Sequence, residues 1–216
     1  MEKHGDSQIT LEMMNTLFTA LSDKLVDKGY SMELVLCGGA VMLINGARTM
    51  TGDIDNLRQI KAHYQLLIEE ISKAYKDDGI ENDWLNDDSY EPVPRGLPYV
   101  KYKDYPNLSV SMLTDEGMLV SKVAASRERD YNDIGFWIDR LGIKERSQVE
   151  SLCVKYNVPL THEDAERELA ERFSGLDDEW DDDMDELNKK ACDKVNMRLR
   201  ALTHFFSTTT ITETAY

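Results

Sequence analysis

Apolar positions in the first third of the chain follow two different rhythms. From Gln8 to Asp27, Leu11, Met14, Leu17, Phe18, Leu21 and Leu25 recur at the three-to-four spacing of an amphipathic helix. "MELVLC" (Met32 to Cys37) is instead a continuous apolar run ended by Gly38-Gly39, as expected of a strand covered on both faces. Paired glycines let the backbone turn sharply and leave room for something to approach it. "AVMLING" then predicts a short helix closing at Gly46. In "DIDNLRQI" the period-two alternation predicts a strand with Asp53 and Asp55 on one face and Ile54 on the other. "KAHYQLLIEEISKAYKDDG" returns to the helical period, with Tyr64, Leu67, Ile68, Ile71 and Tyr75 on one stripe.

The pattern lapses from Ile80 to Leu97, where Pro, Gly, Asn and Asp dominate, and this predicts a long surface loop of the kind that often carries function. "YVKYK" and "NLSVSML", on either side of Asp104-Tyr105-Pro106, predict a β-hairpin. Beyond it the chain reads as helical. Thr114 can cap "DEGMLVSKVAASRERD", and "YNDIGFWIDRL" and "KERSQVESLCVKY" follow. "HEDAERELAERF", capped by Thr161, and a last helix from Asp185 to about Phe206 complete the set, with "STTTITETAY" as a weakly ordered tail. Strands alternating with helices predict an α/β fold, a small mixed sheet flanked by helices and followed by an α-helical C-terminal region.

Composition narrows the setting. A chain of 216 residues with 41% apolar content suits one compact domain with an appendage, or two small domains. The polar N-terminus is no signal peptide, and no apolar run approaches the about 18 residues of a membrane helix, so the expectation is a cytoplasmic protein without membrane association. Cys37, Cys153 and Cys192 are odd in number and far apart, which predicts free thiols; Cys37 reads as a buried small hydrophobe in a strand. The four histidines form no close-spaced pair, which argues against zinc. Trp84 and Trp137 read as packing residues.

A formal charge of -16 argues against a surface that grips nucleic acid indiscriminately, since such binding depends on Lys and Arg displacing counterions. The acidity is most concentrated in "LDDEWDDDMDE" (Leu176 to Glu186), which reads first as a solvated linker and second as a lure for a basic partner or a plug over an Arg-rich cleft.

Two carboxylates projecting the same way from one strand, Asp53 and Asp55, can share one or two hard divalent cations of the Mg²⁺ kind, which also hold substrate phosphates. Upstream, the Gly38-Gly39 turn opens a helix whose first amides would face a phosphate. The combination resembles the nucleotidyltransferase superfamily of the DNA polymerase beta type, whose motif is Gly-Gly or Gly-Ser, a short helix, then Asp-x-Asp. "GGAVMLINGARTMTGDIDNL" is similar to the branch that contains the abortive-infection (AbiEii-type) toxin nucleotidyltransferases and related unassigned bacterial proteins. "LVSKVAASRERDYNDI" resembles that branch's Lys, Ala, Arg and Arg-Asp-x-x-Asp pattern, and "DWLND" resembles a segment of some unassigned members. The similarity spans roughly Leu34 to Tyr156.

The resemblance implies a nucleotidyltransferase core over 1–114, a helical region completing the site over 115–175, and an acidic linker, C-terminal helix and flexible tail over 176–216. It implies that Asp53 and Asp55 hold Mg²⁺ (or Mn²⁺), that Gly38 and Gly39 cradle a nucleoside triphosphate such as ATP, and that Arg48, Thr51, Arg127 and Arg129 assist in nucleotide binding. Lys122 would contact the triphosphate, with Asp130 or Asp133 near the acceptor or acting as its base. The implied activity moves a nucleotidyl group to an RNA end or a protein acceptor, as a toxin or phage-defence component with an antitoxin or defence-system partner. One departure stands out: where many members carry a third acid on a later strand, "NLSVSML" offers Ser109 and Ser111. That favours the alternative of a catalytically degenerate fold that binds nucleotide or a partner.

Overall fold

The structure, a computed structural model, describes residues 8–89, 93–125, 130–158 and 169–173. Helix α1 (Leu11–Lys28) begins at Thr10, whose hydroxyl accepts from Met13 N at 3.2 Å, and ends at left-handed Gly29. Of its predicted stripe, Met14, Leu17, Phe18, Leu21 and Leu25 are buried, whereas Leu11, in the first turn, is exposed. Gln8 and Ile9 precede the helix, because Ile9 is taken by an antiparallel bridge to Thr51 (2.8 and 3.0 Å) and Thr10 caps before the helical period can start.

Strand β1 (Met32–Leu36) runs parallel to β5 (Leu108–Leu113), with Met32 opposite Leu108 and Leu36 opposite Met112. Strand β4 (Tyr99–Tyr105) forms the expected hairpin with β5, turning at Asn107. On the other side of β1 lies a second, parallel pair, β2 (Ile54–Asp55) and β3 (Leu85–Asn86). A bridge between Leu36 and Asn56 joins the two sheets. Leu57 N donates to Val35 O at 2.8 Å and Cys37 N to Asp55 O at 3.1 Å. The fully buried Asn56 side chain takes the Val35 amide at 2.8 Å, so a side chain replaces a ladder bond and β2 is far shorter than the eight residues of "DIDNLRQI".

The predicted surface loop over 80–97 is a second correction. It contains β3, and Trp84 just before it is fully buried, its indole donating to Ile68 O at 3.2 Å. One large apolar anchor and a two-residue pairing suffice to insert this stretch into the sheet, although no alternation marks it.

The helices complete a mixed α/β fold. Helix α2 (Gly38–Ile44) follows β1, and α3 (Ala62–Ala74) packs beside α1 and runs into a 3₁₀ turn at Lys76–Asp78. Helix α4 (Asp115–Ala125) starts at Thr114, whose hydroxyl accepts from Gly117 N at 3.2 Å; α5 (Tyr131–Leu141) and α6 (Arg146–Lys155) follow. Glu145 and Gln148 form a reciprocal capping box at the start of α6. A single continuous core extends from Ile9 through Trp84 and Trp137 to Leu169 and Phe173. Both tryptophans are packing residues, fully enclosed. Among the described residues no helix is long and apolar enough to cross a membrane. Thr161, the acidic run, the last predicted helix and the tail lie outside the described residues, as does most of "HEDAERELAERF".

Candidate functional site

The site is built where β1 gives way to α2. Cys37 keeps the extended backbone of the strand, and Gly38 at φ 58° reverses it into the helix. The room left by the two glycines is used by the protein itself. A Cβ on Gly38 would collide with Asp55 Oδ2, and one on Gly39 would collide with Thr51 Oγ1. The glycines therefore let β2 and the segment before it close against the turn. Thr51 is buried there, tied to Ile9 through its backbone.

Asp53 and Asp55 flank buried Ile54, as the strand alternation requires; the Asp53 carboxylate meets β3 and that of Asp55 meets the segment after it. Asp53 Oδ2 accepts from Asn86 Nδ2 at 3.2 Å, and Asp55 Oδ1 accepts from Ser89 Oγ at 2.9 Å. Burial first, and the charge of Asp55 second, push Asp53 above the usual carboxylate range; the Asn86 hydrogen bond opposes the shift, and Asp83 and Asp88 add to it. Asn86 and Ser89 went unnoticed in the sequence because they fall in the stretch read as loop; the only signal was the apolar Trp84-Leu85 pair inside "DWLND".

A second group of side chains stands beside the turn. Arg48 Nη2 donates to both oxygens of Asp133 at 2.8 Å. Lys122 Nζ, from α4, bridges Asp130 Oδ1 at 2.6 Å and Asp133 Oδ2 at 2.7 Å at the start of α5. Arg48 Nη1 also lies 3.8 Å from the position a Cβ would occupy on Gly39, which places this group against the same bend. The buried Cys37 thiol contacts the backbone carbonyl of Asp55 at 3.8 Å. Burial pushes it up to about 12, Asp55 adds to the effect and Lys122 works against it. That is the profile of an inert, packed thiol and matches the reading of Cys37 as a small hydrophobe.

At this bend Gly38 meets Asp55 and Gly39 meets Thr51 and Arg48; Arg48 joins Asp133, which shares Lys122 with Asp130, and Asp53 lies two residues from Asp55. Arg127 and Arg129 lie outside the described residues. Ser109 and Ser111 sit on β5, opposite Glu33 and Val35 of β1, and Ser109 donates to Asp104 at 3.1 Å.

Among the described residues no group of three His, Cys, Asp or Glu side chains is arranged to hold a metal ion. Mg²⁺ asks for less, since it is commonly held by one or two carboxylates together with water and substrate phosphates. Asp53 and Asp55 offer hard oxygen donors of the kind that ion takes, and the burial and, second, the Asp55 charge that raise Asp53 are costs a cation would relieve. A groove of about 1260 Å³ adjoins the pair through Asn86, with Ile60, Ile68 and Leu85 in its wall and Asp83, Asp87 and Asp88 among its polar groups. No protein-family model, curated protein or solved structure matches the chain.

Proposed function

We propose that the protein is a metal-dependent nucleotidyltransferase that moves a nucleotidyl group from a nucleoside triphosphate to an acceptor. The observation that carries this reading is the close packing of Asp55 beneath Gly38, with Asp53 beside it and the Arg48–Lys122 group against the same turn. Asp53 and Asp55 would hold Mg²⁺ or Mn²⁺, and the cation, when bound, would neutralise charge on the triphosphate. The acceptor group attacks the α-phosphorus, loses its proton, and pyrophosphate leaves. The chain's own contribution is positioning and charge. Arg48 supplies a cation at the bend, and buried Asp130 and Asp133 with partly buried Lys122 fix its surroundings.

For the acceptor, the acids of the groove beside Asn86 favour a protein segment over an RNA end, because they would repel a phosphate backbone. A role in toxin or defence systems, with an antitoxin or defence-system partner, follows from the sequence resemblance alone.

The test is incubation of the purified protein with α-³²P-labelled triphosphates, Mg²⁺ and cell extract, beside Asp53→Ala and Asp55→Asn. Label should appear on an acceptor and fall at least about a hundredfold in either variant. Absence of transfer, or equal transfer by the variants, rejects the reading. A second reading, a nucleotide- or partner-binding module without catalysis, is favoured by one observation: the cation of Lys122 is already held by two carboxylates. Triphosphate binding without transfer would select it.

A further inference from the structure

The four-residue group beside the bend is not a set of equivalents. The side chains of Asp130 and Asp133 are 5% exposed, that of Lys122 13%, and that of Arg48 40%. Lys122 is enclosed and spans two carboxylates, so it acts as an internal bracket. Both oxygens of Asp133 accept from Arg48, and one of them also receives Lys122. With both oxygens turned to Arg48 and Lys122 and the side chain 5% exposed, Asp133 is not presented to an acceptor as a base would be. Arg48 alone reaches the surface. Among the described residues only its Nη2 is engaged, which leaves Nη1, lying against the Gly39 turn, and Nε for a ligand. A guanidinium is a rigid fork, so a carboxylate fixed on one prong aims the others.

We propose that Asp133 is a positioning residue: it holds the Arg48 guanidinium at the Gly38-Gly39 bend to receive the polyphosphate of the substrate, with Lys122 and Asp130 as the bracket that holds Asp133 in turn. This assignment rests on the nucleotidyltransferase reading and refines it. It moves Asp133 from acceptor base to orienting group, and it transfers the direct phosphate contact from Lys122 to Arg48. The Arg48–Asp133 contact joins residues 85 apart in sequence and ties the loop after α2 to α5, so it is also an element of fold. Binding measurements separate the two roles.

Isothermal titration calorimetry with Mg²⁺ and inorganic tripolyphosphate, and then with each of the four common ribonucleoside triphosphates, is run on wild type, Arg48→Ala, Asp133→Asn and the double variant. Each single change is expected to weaken binding about tenfold, and the double variant to bind no more weakly than Arg48→Ala alone, because Asp133 acts only through Arg48. A further loss on adding Asp133→Asn to Arg48→Ala overturns the assignment. So does unchanged affinity in Asp133→Asn with slowed transfer, the mark of a base. Should Asp133→Asn fold poorly, Arg48→Lys serves instead: it keeps the charge and loses the fork, and it should lose most of the affinity while still melting as one cooperative folded protein. Wild-type affinity in Arg48→Lys overturns the proposal. A wild-type protein that binds no polyphosphate removes the nucleotidyltransferase reading and this assignment with it, whereas additive losses on a wild type that binds remove this assignment alone.

Discussion

Asp55 holds its carboxylate where a side chain on Gly38 would project. The bend and the acidic strand are therefore one packed unit. Gly38→Ala should suffer twice, from a left-handed backbone at φ 58° and from displacement of Asp55. Gly79→Ala is the control, since Gly79 is also left-handed at φ 79° yet, among the described residues and apart from its chain neighbours, nothing lies within 4 Å of the added carbon. The backbone cost alone is about 1 kcal/mol, or roughly 2–4 °C for a chain of this size. Thermal melts should place Gly38→Ala clearly below Gly79→Ala; equal melting temperatures would show that the bend has slack.

Asp53 makes the unliganded protein sensitive to pH. Its folded-state pKa lies above the ordinary value of 3.8, so between that value and the raised one the folded state binds more protons than the unfolded state. Stability contributed by the protonated form is present below pH 3.8 and is lost as pH rises through the folded value. In a chelator, Asp53→Asn should match wild type near pH 3.5 and exceed it by a margin that grows until the pH passes the raised folded-state value and is constant above it, with other carboxylates cancelling in the comparison. Millimolar Mg²⁺ at pH 7.5 should raise the wild-type melting temperature and leave the variant unmoved. A variant less stable than wild type at neutral pH in chelator would contradict the repulsion between Asp53 and Asp55.

Lys122 is the most exposed of three enclosed charges and neutralises two carboxylates. Among the described residues, Lys122→Met leaves Asp133 with Arg48 and takes from Asp130 its ion pair, and should cost about 3–5 kcal/mol. Lys155→Met removes an exposed pair with Glu116 and should leave the melt unchanged within error. Chemical denaturation of the two variants side by side measures the difference, and a Lys122→Met protein as stable as Lys155→Met would refute the bracket.

Burial pushes Cys37 and Cys153 each up to about 12. At pH 8 the thiolate fraction is then roughly one in ten thousand, before access is considered. With Cys192 replaced by Ser, the native protein should react with Ellman's reagent only after denaturant is added. Rapid reaction of one equivalent in native buffer would show that the β1 end or α6 opens readily.

Several elements were legible because their signals are local. The buried stripe of α1 follows from spacing alone, since a helix projects positions three and four apart onto one face. Likewise "MELVLC" and the glycines after it specify β1 and the turn, and Thr114 specifies the start of α4. Asp53 and Asp55 sharing a face needs only the strand's period of two. By contrast, β3 is two residues long and is held by Trp84 burial and by pairing with β2 some thirty positions away, so no window along the chain could display it.

What the order of residues determined by itself was therefore which segments coil or extend, which faces are apolar, and that two carboxylates follow a glycine turn. Tertiary structure decided what fills the space at that turn, that Asn86 and Ser89 bind the carboxylates, and that Arg48 and Lys122 meet on Asp133. The reason is physical. Periodicity records forces between near neighbours, whereas a buried ion pair is set by the balance of desolvation against attraction between groups that only the completed core brings within 3 Å.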